Sequence, residues 1–485
     1  MFSKKYDSSV KKTRANISEN IALKILGIWG VILSVVYTCI SLGEYRRFAP
    51  RGMDLGQYDQ AIWLYSRFYG MYNTVYRRHI FGDHLTLTLP LLSPLYWIWN
   101  DVRALLIFQA VVICVSIIPV YKLARLRMLS SWQSLGVAMI YSVFFGIQQS
   151  IFSDFHPVVI GVVFLLWTAY FFEAKRTVFF VISLILLLGT QENMGIALSC
   201  LGLVYVFDNR FRARAWWFIP FGVFATGISM YIVGRFSPIG YEYTPVISLS
   251  PVENIRLLFD NHDKLSSWWY SYISFGFLPL FSLGSVMAVV VDMAQYFNTG
   301  PAAYFKDKPF THHRIVLAPL LLLGLFQTLE WFKKIQIRID VIIGLLILLN
   351  VGIIIGYRFP LYEVFTQRYW IQEQWMRDAD IFIKRIPSEM RLSAQPNLVP
   401  HISHRKYIYV AELISRTDIP QCNTPCWWLD TGEHAQFLFV RWPSNRSFHD
   451  QVPFDAYASA IMNMGVRGKL QEFDREGEMV LFQLR

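Results

Sequence analysis

Arg51-Gly-Met-Asp-Leu-Gly-Gln-Tyr-Asp-Gln60 is the stretch on which the reading of this chain turns. It follows the first long apolar run, Ile21 to about Leu42, and precedes a second polar stretch, Arg77-Arg-His-Ile-Phe-Gly-Asp-His84. Together the two stretches hold three aspartates, three arginines and two histidines. A polar concentration just beyond a membrane-length apolar run marks the place where a chain leaves the bilayer, so the stretch reads as the first outer loop of an integral membrane protein.

Composition agrees. Of the 485 residues, 54% are hydrophobic, 16% aromatic and only 16% charged, and mean hydropathy is positive. That profile leaves room for about ten spans and one soluble domain. The formal net charge of +11 comes from Lys and Arg that lie mostly between apolar runs, the distribution that orients a membrane protein. No zinc finger, P-loop or GxGxxG pattern occurs, and a nucleic-acid partner is not expected.

Working outward, residues 1–20 are polar and carry Lys4, Lys5, Lys11, Lys12 and Arg14, which places the N-terminal tail in the cytoplasm ahead of a true first span. Asp54 to about Tyr69 reads as an amphipathic helix lying on the membrane surface. Asp54 and Gln57 have capping-box spacing, and Leu55, Ile62, Tyr65 and Tyr69 share an apolar face. Leu85 to Trp99 is short and broken by Pro90 and Pro94, a juxtamembrane or re-entrant piece.

Apolar runs then alternate with basic and non-basic connections: Ala104–Tyr121, Trp132–Ser150, Val158–Phe172, Trp216–Val233, Ile315–Trp331 and Val341–Ile355. Thr177–Phe207 is split by Thr-Gln-Glu-Asn193 into two short helices meeting at Gln191-Glu192 on the outer side. Trp268–Phe297 reads as a bent pair with break points at Pro279 and Gly284. The sum is about eleven crossings, which puts the C-terminus outside.

The expected division is a cytoplasmic tail (1–20), a transmembrane domain (21–357) with its first outer loop at 43–103, and an extracytoplasmic α/β domain (358–485). Strand-like pieces at Lys406–Val410, Phe437–Val440 and Met479–Gln483, with a helix near Phe454–Met464, define that last domain. Cys422 and Cys426 frame a polar Cys-Asn-Thr-Pro-Cys segment, where a disulfide is the first reading and a zinc half-site the second.

Asp54-Leu-Gly-Gln-Tyr-Asp-Gln-Ala-Ile-Trp63, His84 with Leu-Leu-Ser-Pro-Leu-Tyr96, Phe155-His-Pro157, Gln191-Glu192, His312-His313 and Leu398-Val-Pro-His-Ile-Ser-His-Arg405 carry a resemblance over nearly the whole chain. It is to the GT-C class of polytopic glycosyltransferases, and more narrowly to an uncharacterised prokaryotic family of predicted multispanning proteins related to that class. Where many relatives have lysine, this chain has Gln191. The resemblance implies an α-helical polytopic membrane protein of the cell membrane. It also implies an inverting transferase that moves a sugar from a polyprenyl phosphate to an extracytoplasmic acceptor, with an acidic residue of the first outer loop in the site.

On that reading Asp54 or Asp59 is the catalytic base. Arg77, Arg78, His84, His156, Glu192, His312 and His313 bind the donor phosphate or substrate. The aromatic residues Trp63, Tyr65, Phe68, Trp97 and Trp99 line a groove for the prenyl chain, and membrane lipids are further partners. Each residue has a plainer role open to it. Asp54 caps a helix, Asp59 faces solvent, Arg77 and Arg78 meet lipid headgroups, the histidines are hydrogen-bonded structural groups, and Glu192 pairs with an arginine. No obligatory cofactor is expected, and a divalent metal is left open. Two other functions are weighed: a lipid or glycolipid transporter using the same groove, and a catalytically inactive scaffold.

Overall fold

The structure, a computed structural model, describes residues 2–50, 52–246, 248–298, 306–419, 422, 425–443 and 456–485, with side chains described from residue 17 onward. The N-terminal lysines and Arg14 therefore lie outside the described side chains. The chain forms two compact units. One comprises Met1–Ser41, His84–Thr88 and Ile107–Thr366, and the other Leu42–Asp83, Leu89–Leu106 and Gln367–Arg485.

The first unit is helical. Among the described residues five helices are long and apolar enough to cross a membrane: Ile17–Arg46, Arg103–Leu126, Arg212–Phe236, His312–Lys334 and Ile339–Gly356. Ser131–Ser142 and Phe145–Ser153, bent by 43°, make a sixth if taken as one span. Backbone groups at that bend are satisfied from the side: Tyr37 donates to the Ser142 carbonyl at 2.6 Å and Gln148 to that of Val143 at 2.6 Å. The apolar runs at 157–173, 177–206 and 283–297 are helical, but each helix has 10–17 residues. At 1.5 Å per residue such helices fall short of a hydrocarbon core of about 30 Å. The length criterion thus supports five or six spans where the sequence suggests eleven.

The split at Gln191-Glu192 is present, between helices Thr177–Leu188 and Met194–Val206. The bent pair is present too, as His262–Ile273 and Leu283–Phe297. Its break lies at Gly276 and Phe277, both at positive φ, followed by a 3₁₀ turn containing Pro279. Gly284 instead lies inside the second helix, where a side chain would collide with the backbone of Leu203 and Val204. Arg127, in the basic connection after the run Ala104–Tyr121, is buried and bonded to Glu173 at 2.6 Å, with Asp208 and Glu330 each at 3.5 Å. It thereby ties three other segments of this unit together.

The second unit is built on a sheet. Short strands β1 (Tyr72–Asn73) and β2 (Arg78–His79) form a hairpin. Strands β3 (Leu392–Ala394), β4 (Ile408–Val410), β7 (Phe437–Arg441), β8 (Leu470–Glu476) and β9 (Met479–Leu484) form the main sheet in the order β4-β3-β7-β9-β8, parallel across its first three strands and antiparallel beyond. A second hairpin, β5 (Glu412–Arg416) and β6 (Cys426–Asp430), carries the Cys422–Cys426 disulfide at its end. The period-two rule divides the main sheet cleanly. Phe439 and Leu481 face the helix Gln374–Ile383, whereas Leu438, Val440, Val480 and Phe482 face the helix Ala456–Val466.

The first-loop stretch belongs to this unit, not to the helical one. A π-helical turn, Gly52–Gly56, runs into the helix Gln57–Ser66. This helix is not amphipathic: Leu55 and Ile62 are buried, and so are Gln57, Asp59 and Gln60. Tyr65 and Tyr69, expected on the apolar face, are exposed. No capping box forms either. Gly56 stands at the N-cap, and the Gln57 amide instead donates to Asp83 at 3.0 Å. Gly52 and Gly56, four residues apart, lie against Val399 with no room for a Cβ between them, which is why the segment 398–402 packs so closely there.

Candidate active site

In the helical unit, five residues of the sequence reading come together. Glu192 sits in the turn between two helices, buried, with His84 Nδ1 at 2.7 Å. The Leu85 amide donates to its other oxygen at 3.3 Å, and the Tyr241 hydroxyl approaches at 3.3 Å. The Thr88 amide donates to the Gly189 carbonyl at 2.9 Å, so the segment 84–88 is strung along the turn that presents Glu192. Burial alone would raise the Glu192 pKa, but His84 and the bonds from His84 and the Leu85 amide hold it below the ordinary carboxylate range. Its partner is therefore a histidine, not the arginine weighed from the sequence.

His84 stacks on Tyr243 at 4.9 Å between ring centroids, and the Lys306 ammonium lies 4.0 Å from that same ring. His156 stacks on His312 at 3.4 Å, His312 meets His313 edge-on at 4.0 Å, and His313 stacks on Tyr296 at 4.6 Å. The Tyr296 hydroxyl accepts from Asn193 at 2.9 Å, which returns this ladder to the residue next to Glu192. The Ser-Asp-Phe-His loop is pinned by Gln109, which donates to the Asp154 carbonyl at 2.7 Å and accepts from the His156 amide at 2.8 Å. His262 stays exposed on its own helix and does not join the group.

In the sheet unit, Asp54 occupies the π-helical turn and is partly buried. π-Helical turns are rare and frequently accompany functional sites. Asp59 does not face solvent: it is fully buried and bonded by the Tyr96 and Ser403 hydroxyls and by His404 Nε2 at 3.1 Å. Arg78 is buried, 3.4 Å from Asp83 and with its guanidinium over Tyr76 at 3.9 Å. Arg77 reaches Asp430 at 2.7 Å. Arg78 and one arm of Arg77 thus meet carboxylates of this unit, where the sequence suggests donor phosphate or lipid headgroups.

The C-terminal motif 398–405 proves to be structural support for the first loop. Ser403 and His404 hold Asp59, and the Arg405 carbonyl accepts from Gln60 at 3.1 Å. The Arg405 guanidinium caps the carbonyls of Ile402, Pro387 and Met390. His401 is stacked between Tyr45 at 4.1 Å and Phe48 at 3.9 Å, and burial pushes its pKa down to about 3, so it stays neutral.

Sequence reasoning missed Lys306, Tyr241 and Tyr243 as members of the Glu192 group, and Tyr96, Ser403 and His404 as partners of Asp59. The aromatic–acid–aromatic triplet at 241–243 and the charged Lys-Asp-Lys308 triplet are visible in the sequence, but nothing local pairs them. Among the described residues no group of three or more His, Cys, Asp or Glu is arranged to hold a metal ion.

Apolar helices of membrane length, shorter apolar helices and a small α/β sheet unit mark a polytopic membrane protein whose fold resembles that of the GT-C class. The chain belongs to the family described as predicted membrane protein (DUF2079), whose model matches residues 47–458. Its fold is similar to the crystal structure of ArnT from Cupriavidus metallidurans bound to undecaprenyl phosphate, with a TM-score of 0.53 and 13% identity over 94% of this chain and 97% of that one. The apo structure of the same ArnT gives 0.50 and 11%, over 95% and 98%. At these identities the likeness is one of fold. No curated protein matches the sequence.

Proposed function

We propose that this protein is an inverting glycosyltransferase that moves a sugar from a polyprenyl phosphate to an extracytoplasmic acceptor. The observation that carries the reading is the Glu192–His84 pair with Lys306 on the shared Tyr243 ring, in which a buried carboxylate and a buried ammonium flank a half-buried imidazole, ionisable groups of the kind membrane proteins reserve for binding and chemistry. The fold likeness to an ArnT structure holding undecaprenyl phosphate supports the donor class. His84, oriented by Glu192, and Lys306 act on the donor phosphate as it leaves. The acceptor oxygen bonds to the anomeric carbon, the carbon–oxygen bond to phosphate breaks, and the prenyl phosphate departs with the electron pair. The acceptor proton passes to a carboxylate, the role for which the first-loop Asp54 is tested below.

Asp59, Arg77 and Arg78 serve the sheet unit as fixed ion-pair and hydrogen-bond partners in this reading. The aromatic set of the first loop forms an exposed band in that unit, with Phe68 at 86% and Trp97 at 59% exposure, while Trp63 and Trp97 keep their indole N–H groups bonded to Asn100 and Ser66. Such rings suit a membrane interface. The reading puts the sheet unit and the C-terminus outside the cell membrane, and the N-terminus in the cytoplasm.

The test is reconstitution in liposomes with undecaprenyl-phosphate-linked sugars, with release of undecaprenyl phosphate as the readout. Asp54→Asn and His84→Ala should each abolish release. Full release by Asp54→Asn removes Asp54 from the role, and passage of intact donor across the bilayer without release makes the protein a transporter.

A further inference from the structure

The sheet unit contains a hollow of about 410 Å³ lined by Tyr69, Tyr72, Arg77, Lys406, Tyr407 and Tyr409, with Leu64 and Thr74 also in its wall and Glu433 and His434 at its rim. Its volume lies within the range of roughly 300–1,000 Å³ typical of small-molecule sites. None of these residues belongs to the groups around Glu192 or Asp59.

The hollow is built, not incidental. Arg77 has positive φ (54°), a conformation that non-glycine residues adopt rarely and that collects at functional sites. The Tyr72 hydroxyl donates to the Arg77 carbonyl at 2.8 Å and so helps hold that turn. Asp430 fixes one arm of the guanidinium at 2.7 Å, while the other nitrogen, Nη2, is buried without a hydrogen-bond partner. A buried donor without a protein partner calls for an acceptor from outside the fold, water or ligand.

The same aspartate shapes the opposite wall. Asp430 accepts from the Gly432 amide at 3.0 Å, and Gly432, at φ +85°, lies flat on the Tyr409 ring where any Cβ would collide. That turn delivers Glu433 and His434 to the rim, His434 edge-on to Tyr407 at 6.0 Å. Lys406 lies over Tyr69 at 5.5 Å and Tyr407 at 5.6 Å. Tyr69 and Tyr72 are 61% and 55% exposed, large aromatic surfaces that the fold does not use.

We propose that this hollow binds a saccharide. A pyranose offers weakly polarised C–H faces to aromatic rings and, around its edge, hydroxyls that both donate and accept. The lining matches both demands: tyrosine rings for the faces, the unmatched Arg77 N–H and Lys406 for hydroxyl oxygens, and Glu433 for hydroxyl protons. The acid at the rim and the Asp430 beside Arg77 offset the two cations, so an uncharged sugar fits better than a bare anion. The site is separate from transfer chemistry, and its test does not depend on that reading.

The experiment measures binding of maltose, lactose, mannobiose and N,N′-diacetylchitobiose to the full-length protein in detergent, by saturation-transfer NMR and calorimetry, with inorganic phosphate as the rival ligand. At least one disaccharide should bind, phosphate at equal concentration should not displace it, and Tyr69→Ala and Lys406→Ala should each weaken it tenfold or more. Tyr69 is exposed, so its variant should keep the parent melting temperature and report on the site alone. Arg77→Lys, which keeps the charge but loses the planar fork, should also weaken binding. Absence of binding by all four sugars, displacement by phosphate, or unchanged affinity in Tyr69→Ala and Lys406→Ala would each overturn the proposal.

Discussion

Two groups in this molecule are built from the same ingredients in different surroundings. Asp59 in the sheet unit and Glu192 in the helical unit are both buried carboxylates bonded to a histidine and approached by a tyrosine hydroxyl. Their histidines are even exposed alike, His404 at 18% and His84 at 16%. The walls differ. His404 rests on half-buried Trp63 and edge-on to buried Tyr96, with no second charged group on either ring among the described residues. His84 lies on a tyrosine that also carries Lys306, in a unit where three more histidines stack near Asn193. On the function proposed above, what surrounds the imidazole, and not the carboxylate–imidazole pair itself, separates the two groups.

The comparison breaks most readily at Asp59. Asp59→Ala leaves Tyr96, Ser403 and His404 without their common acceptor inside a core, and should cost roughly 3–5 kcal/mol of stability. A large fall in melting temperature and in yield of folded protein is the expected result, and a variant of parent stability would show the group to be dispensable to the fold. Glu192→Gln keeps size and shape but loses the charge that orients His84, so transfer should drop on the order of 10²-fold through mispositioning while the melting temperature moves little. Loss of stability with intact turnover would place Glu192 on the structural side with Asp59.

A smaller effect tests how the sheet unit holds its first-loop helix. Gly56→Val forces a branched side chain against Val399 and should destabilise by about 1–3 kcal/mol, and Val399→Ala in the same protein should recover part of it. The smallest effect concerns pH. Hydrogen bonding to Arg77 lowers the Asp430 carboxyl from its ordinary value of 3.8. A carboxyl lowered on folding adds stability that is present above the unfolded value and is lost as pH falls through the folded one. Asp430→Asn should therefore melt below the parent at neutral pH, and the gap should close in acid below pH 3.8.

Much of the helical unit is legible in the sequence, because apolar length and flanking charge are local properties. The runs at 104–121, 315–331 and 341–355 reappear within a few residues as Arg103–Leu126, His312–Lys334 and Ile339–Gly356. The strands at 408–410, 437–441 and 479–484 likewise follow from short continuous apolar runs, the pattern of strands buried on both faces. What the sequence conceals is pairing at long range. Gln57, Asp59 and Gln60 look like the wet side of a surface helix, and nothing nearby discloses that Asp83, Ser403, His404 and Arg405 bury them. Arg77 and Arg78 look available for the same reason, since Asp430 is remote in the chain and the Asp83 contact depends on a hairpin only two residues per strand long. In the helical unit, the histidines at 84, 156 and 312–313 are legible as a set, whereas Lys306 is not, because its place beside them depends on sharing a tyrosine with His84.

The bond from Gln60 to the Arg405 carbonyl spans 345 residues, and that span sets a schedule for making the protein. At about 5–20 residues per second, the helix Gln57–Ser66 leaves the ribosome roughly 20–70 s before the segment that satisfies its buried amide and carboxylate. During that interval its polar groups must stay hydrated or be held by a chaperone. Every membrane insertion event between the two segments takes place while the sheet unit is half made.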